Sequence, residues 1–171
     1  GFIWDWVDQG YLTKTNDGKP FYAYGGDLGG YYLQNDENFC ANGLIAADRT
    51  VHPGLYEVKK GYQSILFKEK DLSQGILTIS NWFDFTNLDE YDFEWQLYVN
   101  GKSNGSTTFK VSLAPHQSKD VKLNLPVFKL MPGTEVYLNV RAVIRNKTNF
   151  LEAGHSIAEE QFKYAGDFRS E

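Results

Sequence analysis

Two patterns of hydrophobic and polar residues divide the chain near residue 62. Beyond that point, apolar and polar residues alternate with a period of two in seven segments, separated by polar turns. Such alternation turns one face of each strand toward a core, and this spacing of segments is typical of an antiparallel β-sandwich. We predict strands over residues 64–70, 75–83, 92–101, 107–114, 119–125, 135–145 and 157–165.

Two of these segments show their core-facing side chains directly. One face of residues 135–145 is entirely apolar and consists of Val136, Leu138, Val140, Ala142 and Ile144. The corresponding face of residues 92–101 consists of Phe93, Trp95, Leu97 and Val99. The predicted sandwich is immunoglobulin-like in architecture only, because the Cys…Trp…Cys spacing of antibody domains is absent from the sequence.

The first part of the chain follows a different pattern. Residues 1–7 are apolar on both faces of a predicted strand, which is typical of a strand buried on both sides in a parallel sheet. Residues 11–50 are rich in glycine and polar turn residues, and a loop region of this length usually belongs to a functional site. Pro53 and the helical spacing of the apolar residues after it predict a short helix over residues 53–62.

Composition narrows the classes of function. The 171 residues carry a net charge of −5 and no basic run, which argues against nucleic acid as a partner. No apolar stretch approaches the roughly 18 residues of a membrane-spanning helix, so we expect no membrane partner. Cys40 is the single cysteine, so an internal disulfide is impossible. Aromatic residues make up 16% of the chain and suit both a core and a sugar-binding platform.

Four separated blocks of sequence resemble a known family. They read GFIWDWVDQG, YGGDLGG, NFCANGLIAADRTVHPGLYEVKKGYQ and EAGHSIAEEQF, in this order along the chain. Together they closely resemble the β-galactosidases of glycoside hydrolase family 2, of the large bacterial lactose-cleaving type. In that family a (β/α)8 barrel carries catalysis and an immunoglobulin-like sandwich follows it.

The resemblance implies a mostly β chain made of two parts. Residues 1–62 would be the C-terminal segment of the catalytic TIM barrel, comprising its last strand, loops and last helix. Residues 63–171 would be the seven-stranded immunoglobulin-like antiparallel β-sandwich. We therefore expect the chain to be a piece of a longer protein. Its compartment stays open between the bacterial cytoplasm and periplasm, because any signal peptide would precede Gly1.

The resemblance also implies a function for the whole protein. Family members hydrolyse terminal non-reducing β-D-galactose residues with retention, using two glutamates roughly 5 Å apart. Both glutamates lie upstream in the family, so we expect no catalytic residue here and no activity from this chain alone. Trp4 is implied as the platform beneath the galactose ring, and Asn42 as a second substrate-binding residue. Asn35 and Asp36 are implied to lie one layer behind the groups that touch the sugar.

A metal site is implied by the same loop. By this resemblance, the carbonyl of Phe39 and the side chain of Asn42 would bind a sodium ion that holds the galactose 6-hydroxyl. Oxygen ligands of this kind suit a hard cation. The third protein ligand, an aspartate, belongs to the upstream region, so we expect an incomplete sodium site and no cofactor bound by this chain. Na⁺ and Mg²⁺ are both implied for the full-length enzyme.

The residues themselves allow plainer interpretations. Trp4 could be a core tryptophan, and Asn42, which precedes a glycine, could be a turn residue. Asp5 and Asp8 suit a turn or a salt bridge better than acid–base chemistry, since nothing marks a partner carboxylate for them. His52 suits a packed or helix-capping residue better than a catalyst.

Two other functions remain possible for the sandwich. Trp82, Phe85 and Tyr98 permit a carbohydrate-binding module, although nothing in the sequence distinguishes them from core or edge residues. The family resemblance suggests instead a structural spacer or a subunit interface, and with it a possible homo-oligomer.

Overall fold

The computed structural model describes residues 2–29, 32–126, 131 and 133–165. Gly1, the first residue of the strand predicted over residues 1–7, and residues 166–171, the end of the predicted sandwich domain, lie outside this set. The chain divides into two compact units, Gly1–Tyr62 and Gln63–Glu171. Within the described ranges, no helix is long and apolar enough to cross a membrane.

The first unit contains a β-hairpin and a short helix. Strands β1 (Tyr11–Lys14) and β2 (Pro20–Ala23) pair in antiparallel fashion. Helix α1 (Pro53–Gly61) begins with Pro53 in its first turn, which confirms the predicted helix. Two short 3₁₀ turns cover Gly25–Asp27 and Glu37–Cys40.

The hairpin corrects the prediction of an unbroken loop over residues 11–50. A tight turn closes it, in which the Thr15 amide donates to the Lys19 carbonyl at 2.9 Å. Gly18 has a φ of +83°, a conformation that glycine adopts without steric cost. The many glycine and polar residues of this region indicated a loop, so the sequence pattern did not predict the two short strands.

The strand predicted over residues 1–7 is largely absent from its described part. Residues 2–6 form no strand, and Asp5 has a φ of +62°, which interrupts an extended backbone. Val7 makes an isolated parallel bridge with Ile45. Phe2 is fully exposed at 103%, so in this chain the apolar side chains here lack the neighbours that would stabilise a strand buried on both faces.

Seven strands make up the described part of the second unit. They are β3 (Ile65–Asp71), β4 (Ile76–Asn81), β5 (Tyr91–Val99), β6 (Lys102–Phe109), β7 (Ser118–Lys122), β8 (Val136–Ile144) and β9 (Ser156–Ala165). One sheet has the order β3-β4-β7 and the other the order β6-β5-β8-β9, and all their pairings are antiparallel. This arrangement confirms the predicted seven-stranded sandwich.

The core of this unit consists of the inward faces that the alternation predicted. Phe93 is fully buried and lies edge-on to Phe67, with ring centroids 6.2 Å apart. The buried apolar set includes Ile65, Leu77, Ile79, Trp95, Leu97, Val136, Leu138, Val140 and Ala142. Both sheets contribute to the set, so burial of apolar surface between them stabilises the unit.

Strand β6 begins earlier than predicted. The sequence predicts one strand that ends at residue 101 and another that begins at residue 107, yet β6 begins at Lys102, directly after the two-residue turn Asn100–Gly101. Both turn residues have positive φ, 48° and 74°, as the favoured hairpin turns require. The strand was missed because its first half, KSNGS, contains no apolar residue.

The same strand ends earlier than predicted, at Phe109. Beyond it, asparagine side chains form hydrogen bonds with the backbone. The buried Asn81 donates to the Leu113 carbonyl at 2.9 Å, and Asn87 accepts from the Leu113 amide at 3.0 Å. Val111 and Leu113 are nevertheless buried. Their alternation therefore reflects core packing, while the backbone of Leu113 is held by Asn81 and Asn87.

An ionic cluster on the second unit gives the sandwich a testable pH dependence. Hydrogen bonds from Lys110 and from Arg145 hold the pKa of Asp92 below its usual range. A carboxylate with a lowered folded pKa stabilises the fold above its unfolded pKa of about 3.9, and this contribution is lost as pH falls through the folded value.

We therefore expect Asp92→Asn to lower the free energy of unfolding at neutral pH. The difference from the unchanged chain should begin to shrink at about pH 4 and become smallest below the lowered folded pKa, because only there is the carboxyl protonated in both states. Denaturant unfolding at several pH values measures it. A difference that stays constant across the pH range would rule out an ionic origin.

Candidate functional site

Backbone hydrogen bonds join the loop that contains Asn42 to the segment that follows Trp4. The Ile45 amide donates to the Trp6 carbonyl at 3.1 Å, and the Asp8 amide donates to the Ile45 carbonyl at 2.8 Å. The Gln9 amide donates to the Cys40 carbonyl at 3.0 Å. These bonds bring two blocks that are distant in sequence into one local structure.

Trp4 is exposed in this chain. Its relative exposure is 75%, so its indole is not part of a core within the chain. The residue after it, Asp5, turns the backbone at positive φ and accepts a hydrogen bond from the Gln9 side chain at 2.8 Å. Asp5 thus has the turn role that its isolated position indicated.

Phe39 and Asn42 are brought together by a single turn. The 3₁₀ turn Glu37–Cys40 places the Phe39 carbonyl where the Asn42 side-chain amide contacts it. The Phe39 ring is 70% exposed and Asn42 is exposed. A rotation of the amide would exchange its nitrogen for its oxygen and direct two oxygen atoms toward the same point.

Asn35 and Asp36 shape this turn. The Asn35 side chain donates to the Leu33 carbonyl at 3.1 Å and accepts from the Glu37 amide at 3.0 Å. The carbonyl of Asp36 accepts from the Phe39 amide at 2.9 Å. Both residues therefore fix the backbone that carries Phe39 and Asn42.

Asp8 and His52 hold the peptide groups of Gly43 between them, an arrangement that we call the clamp. It was not predicted from the sequence. The Gly43 amide donates to the Asp8 carboxylate at 2.6 Å, and the Gly43 carbonyl is 2.8 Å from Nδ1 of His52. Nε2 of His52 lies 3.6 Å from the same carboxylate. Asp8 and His52 thus contact the amide and the carbonyl of Gly43, the residue next to Asn42, and have a structural role there.

The clamp leaves no room for a side chain at residue 43. A Cβ atom there would lie 2.3 Å from the Asp8 amide nitrogen and 2.7 Å from the Ile45 carbonyl oxygen. Both obstacles are backbone atoms, which cannot rotate away. Residue 43 must therefore be glycine for the loop to keep this path.

We expect Gly43→Ala to destabilise the first unit by roughly 2–4 kcal/mol, since the added methyl overlaps backbone. Gly61→Ala is the matched control, because no atom lies within 4 Å of its added Cβ. In a helix that change should be neutral or stabilise by up to about 1 kcal/mol. Hydrogen exchange of the loop amides measures both, and equal protection in the two variants would contradict the clamp.

The segment that contains Asp8 also lines a cleft. It has a volume of about 230 Å³ and is lined by Asp8, Gln9, Gly10, Tyr22, Tyr24, Ala41, Ala46, Ala47 and Asp48. The two tyrosines were missed because they lie in the region predicted as loop. The alternation in PFYAY at residues 20–24 was the pattern that could have revealed them.

The chemistry of the described residues limits what this unit can bind. No group of three or more His, Cys, Asp and Glu side chains in the described ranges could hold a metal ion. The Phe39 carbonyl and the Asn42 amide fit part of an oxygen donor set for an alkali cation.

Comparison with protein families identifies the chain. A model described as the TIM barrel domain of the glycosyl hydrolases of family 2 matches residues 1–67. A model described as domain 4 of β-galactosidase matches residues 77–165, which is more than half of the chain. The chain belongs to the family 2 β-galactosidases.

Individual β-galactosidases show the same likeness. The β-galactosidase of Priestia megaterium is 37% identical over 163 residues, which cover 95% of this chain and 16% of that enzyme. The β-galactosidase of Photobacterium profundum is 39% identical over 166 residues, and that of Leuconostoc mesenteroides subsp. mesenteroides is 38% identical over 165. The chain thus spans about 16% of the length of the curated β-galactosidases it matches.

Proposed function

We propose that this chain forms one wall of the galactose-binding site of a retaining β-galactosidase. The full-length enzyme would hydrolyse terminal non-reducing β-D-galactose residues. The observation that carries this proposal is the junction of two blocks in the first unit. The segment after Trp4 and the loop of Asn42 are tied together by three backbone hydrogen bonds.

Trp4 is proposed as the platform for the sugar ring. Its 75% exposed indole supports this role, because a pyranose loses water from its C–H face when it lies against an exposed aromatic ring. The hydroxyls at the ring edge stay free for hydrogen bonds. The exposure also removes the plainer interpretation of Trp4 as a core residue of this chain.

Phe39 and Asn42 are proposed as two ligands of a sodium ion in the full-length enzyme. Bound there, the ion would supply an electrostatic contact to a sugar hydroxyl. In support, the carbonyl of Phe39 and the amide of Asn42 already lie in contact. Asn35, Asp36 and the clamp on Gly43 hold the backbone on which both groups are carried.

The catalytic glutamates are proposed to lie outside this chain. Retaining hydrolysis needs two carboxyl groups about 5–5.5 Å apart, one as nucleophile and one as acid/base. Of the two glutamates of the first unit, Glu37 lies in a 3₁₀ turn and Glu57 on helix α1. The family resemblance assigns neither of them a catalytic role.

A direct assay tests the proposal. The chain alone and a full-length enzyme that contains it would be compared on a chromogenic β-galactoside. We expect turnover by the full-length enzyme and none by the chain. Appreciable turnover by the chain would show that it contains its own carboxylate pair, and an inactive full-length enzyme would exclude the galactosidase assignment.

A second candidate is sugar binding by the sandwich itself. Trp82 and Phe85 are 62% and 96% exposed and lie in one short loop, whereas the Tyr98 hydroxyl is bonded to Gln96 at 2.8 Å. Calorimetric titration of the chain with galactose and galactans would test it. Heat that persists in Trp4→Ala and disappears in Trp82→Ala would support a binding module, and heat lost only in Trp4→Ala would exclude it.

A further inference from the structure

The chain contains three Asn-Gly pairs, at residues 42–43, 100–101 and 104–105. In such a pair the glycine amide nitrogen can attack Cγ of the asparagine side chain, because glycine offers little steric hindrance. The Cγ–N bond of the side-chain amide breaks and ammonia leaves, which gives a five-membered succinimide. Water then opens this ring at either carbonyl to give aspartate or isoaspartate, and no other reactant is needed.

Two of the three pairs are held against this reaction. At residues 42–43 the asparagine amide contacts the Phe39 carbonyl, and the glycine amide, which would be the nucleophile, donates to Asp8 at 2.6 Å. Both reacting groups are therefore committed to hydrogen bonds. These hydrogen bonds must break before the succinimide ring can form.

The Asn100–Gly101 pair is held by its asparagine. The Asn100 side-chain oxygen accepts a hydrogen bond from the Glu135 backbone amide at 2.8 Å. The Asn100 backbone amide donates to the Glu135 carbonyl at 2.9 Å. The side chain thus bridges to a segment distant in sequence. It is not free to approach the next amide nitrogen without giving up that contact.

The third pair lies in a β-bulge on an edge strand. Strand β6 pairs Ser106 with Gln96 and Ser103 with Tyr98, so two residues, Asn104 and Gly105, face one residue of β5. Gly105 has a φ of +135°, and both residues of the pair are exposed. Within the described residues, the Asn104 side chain makes no hydrogen bond.

From these differences we propose that Asn104 is a site of spontaneous deamidation in the folded chain. The bulge interrupts the regular ladder at the point where the asparagine must turn toward the following amide. Conversion adds one negative charge to a chain of net charge −5. In the isoaspartate product it also lengthens the backbone of β6 by one methylene beside β5.

Peptide mapping by mass spectrometry tests the proposal on the whole chain. The folded chain is kept at mildly alkaline pH, sampled over time and digested, and aspartate and isoaspartate are measured at the three sites. We expect Asn104 to react at least about tenfold faster than Asn42, with Asn100 between them, because the held pairs react only after local opening. Faster conversion of Asn42 or Asn100 would overturn the proposal.

Two controls separate structure from local sequence. In denaturant the three rates should converge, and an unchanged ranking there would show that the fold does not select the site. In the folded state, Asn104→Gln should remove most of the acidic species seen on ion exchange, whereas Asn100→Gln should not. Acidic species that accumulate at the same rate in Asn104→Gln would also overturn the proposal.

Discussion

Replacing Trp4 with alanine in a full-length enzyme that contains this chain is expected to lower kcat/KM for a β-galactoside by roughly 30-fold. That factor corresponds to about 2 kcal/mol, the contribution of burying apolar surface between a sugar face and an aromatic ring. The indole is 75% exposed in the chain, so its surface is available to a ligand. Because the ring would contact the substrate in the ground state as well, KM should rise more than kcat falls.

Two comparisons make this result specific. Trp4→Phe keeps an apolar ring and should recover a large part of the loss. Tyr56→Ala removes another exposed aromatic side chain, 68% exposed on helix α1, and should leave the kinetics unchanged. Steady-state kinetics of the three variants decide the matter. If Trp4→Ala behaves like Tyr56→Ala, the indole is not a sugar platform.

Phe93→Ala is expected to lower the free energy of unfolding of the sandwich by roughly 3–5 kcal/mol, since it leaves a cavity in a packed core. The Phe93 side chain is fully buried, and its ring lies 6.2 Å from that of Phe67 and 5.5 Å from that of Phe109. For a unit of this size the loss should lower Tm by roughly 15 °C.

Phe150→Ala is the matched control for this core substitution. Its side chain is 93% exposed, so its removal should change the free energy of unfolding by less than about 0.5 kcal/mol. Calorimetry or far-ultraviolet circular dichroism measures both variants. Equal melting temperatures for Phe93→Ala and the unchanged chain would mean that the two sheets do not share this core.

The sandwich was predictable because apolar alternation records burial. The buried face Val136, Leu138, Val140 and Ala142 was readable directly from the sequence. The bounds of β6 were not readable, because they depend on a two-residue turn and on contacts between distant segments. The asparagine side chains that hold the backbone of Leu113 leave no periodic pattern in the sequence.

The residues of the candidate site come from the family resemblance and stay predictions, whereas the contacts that support them were not predicted from the sequence. The blocks around Trp4 and Asn42 carried the family resemblance, whereas the clamp joins Asp8 and His52 to Gly43. A carboxylate, a glycine and a histidine far apart in sequence acquire a common role only when the chain folds. Likewise, residues 2–6 are apolar enough for a buried strand but form none here, because a strand requires partners as well as composition.

The distribution of the four tryptophans has a spectroscopic consequence. Trp4, Trp6 and Trp82 are 75%, 54% and 62% exposed, whereas Trp95 is 5% exposed. A small neutral quencher such as acrylamide will therefore suppress the emission of the first three and spare that of Trp95. The blue-shifted fluorescence that survives quenching comes from the sandwich core, so it reports the integrity of that unit without a label.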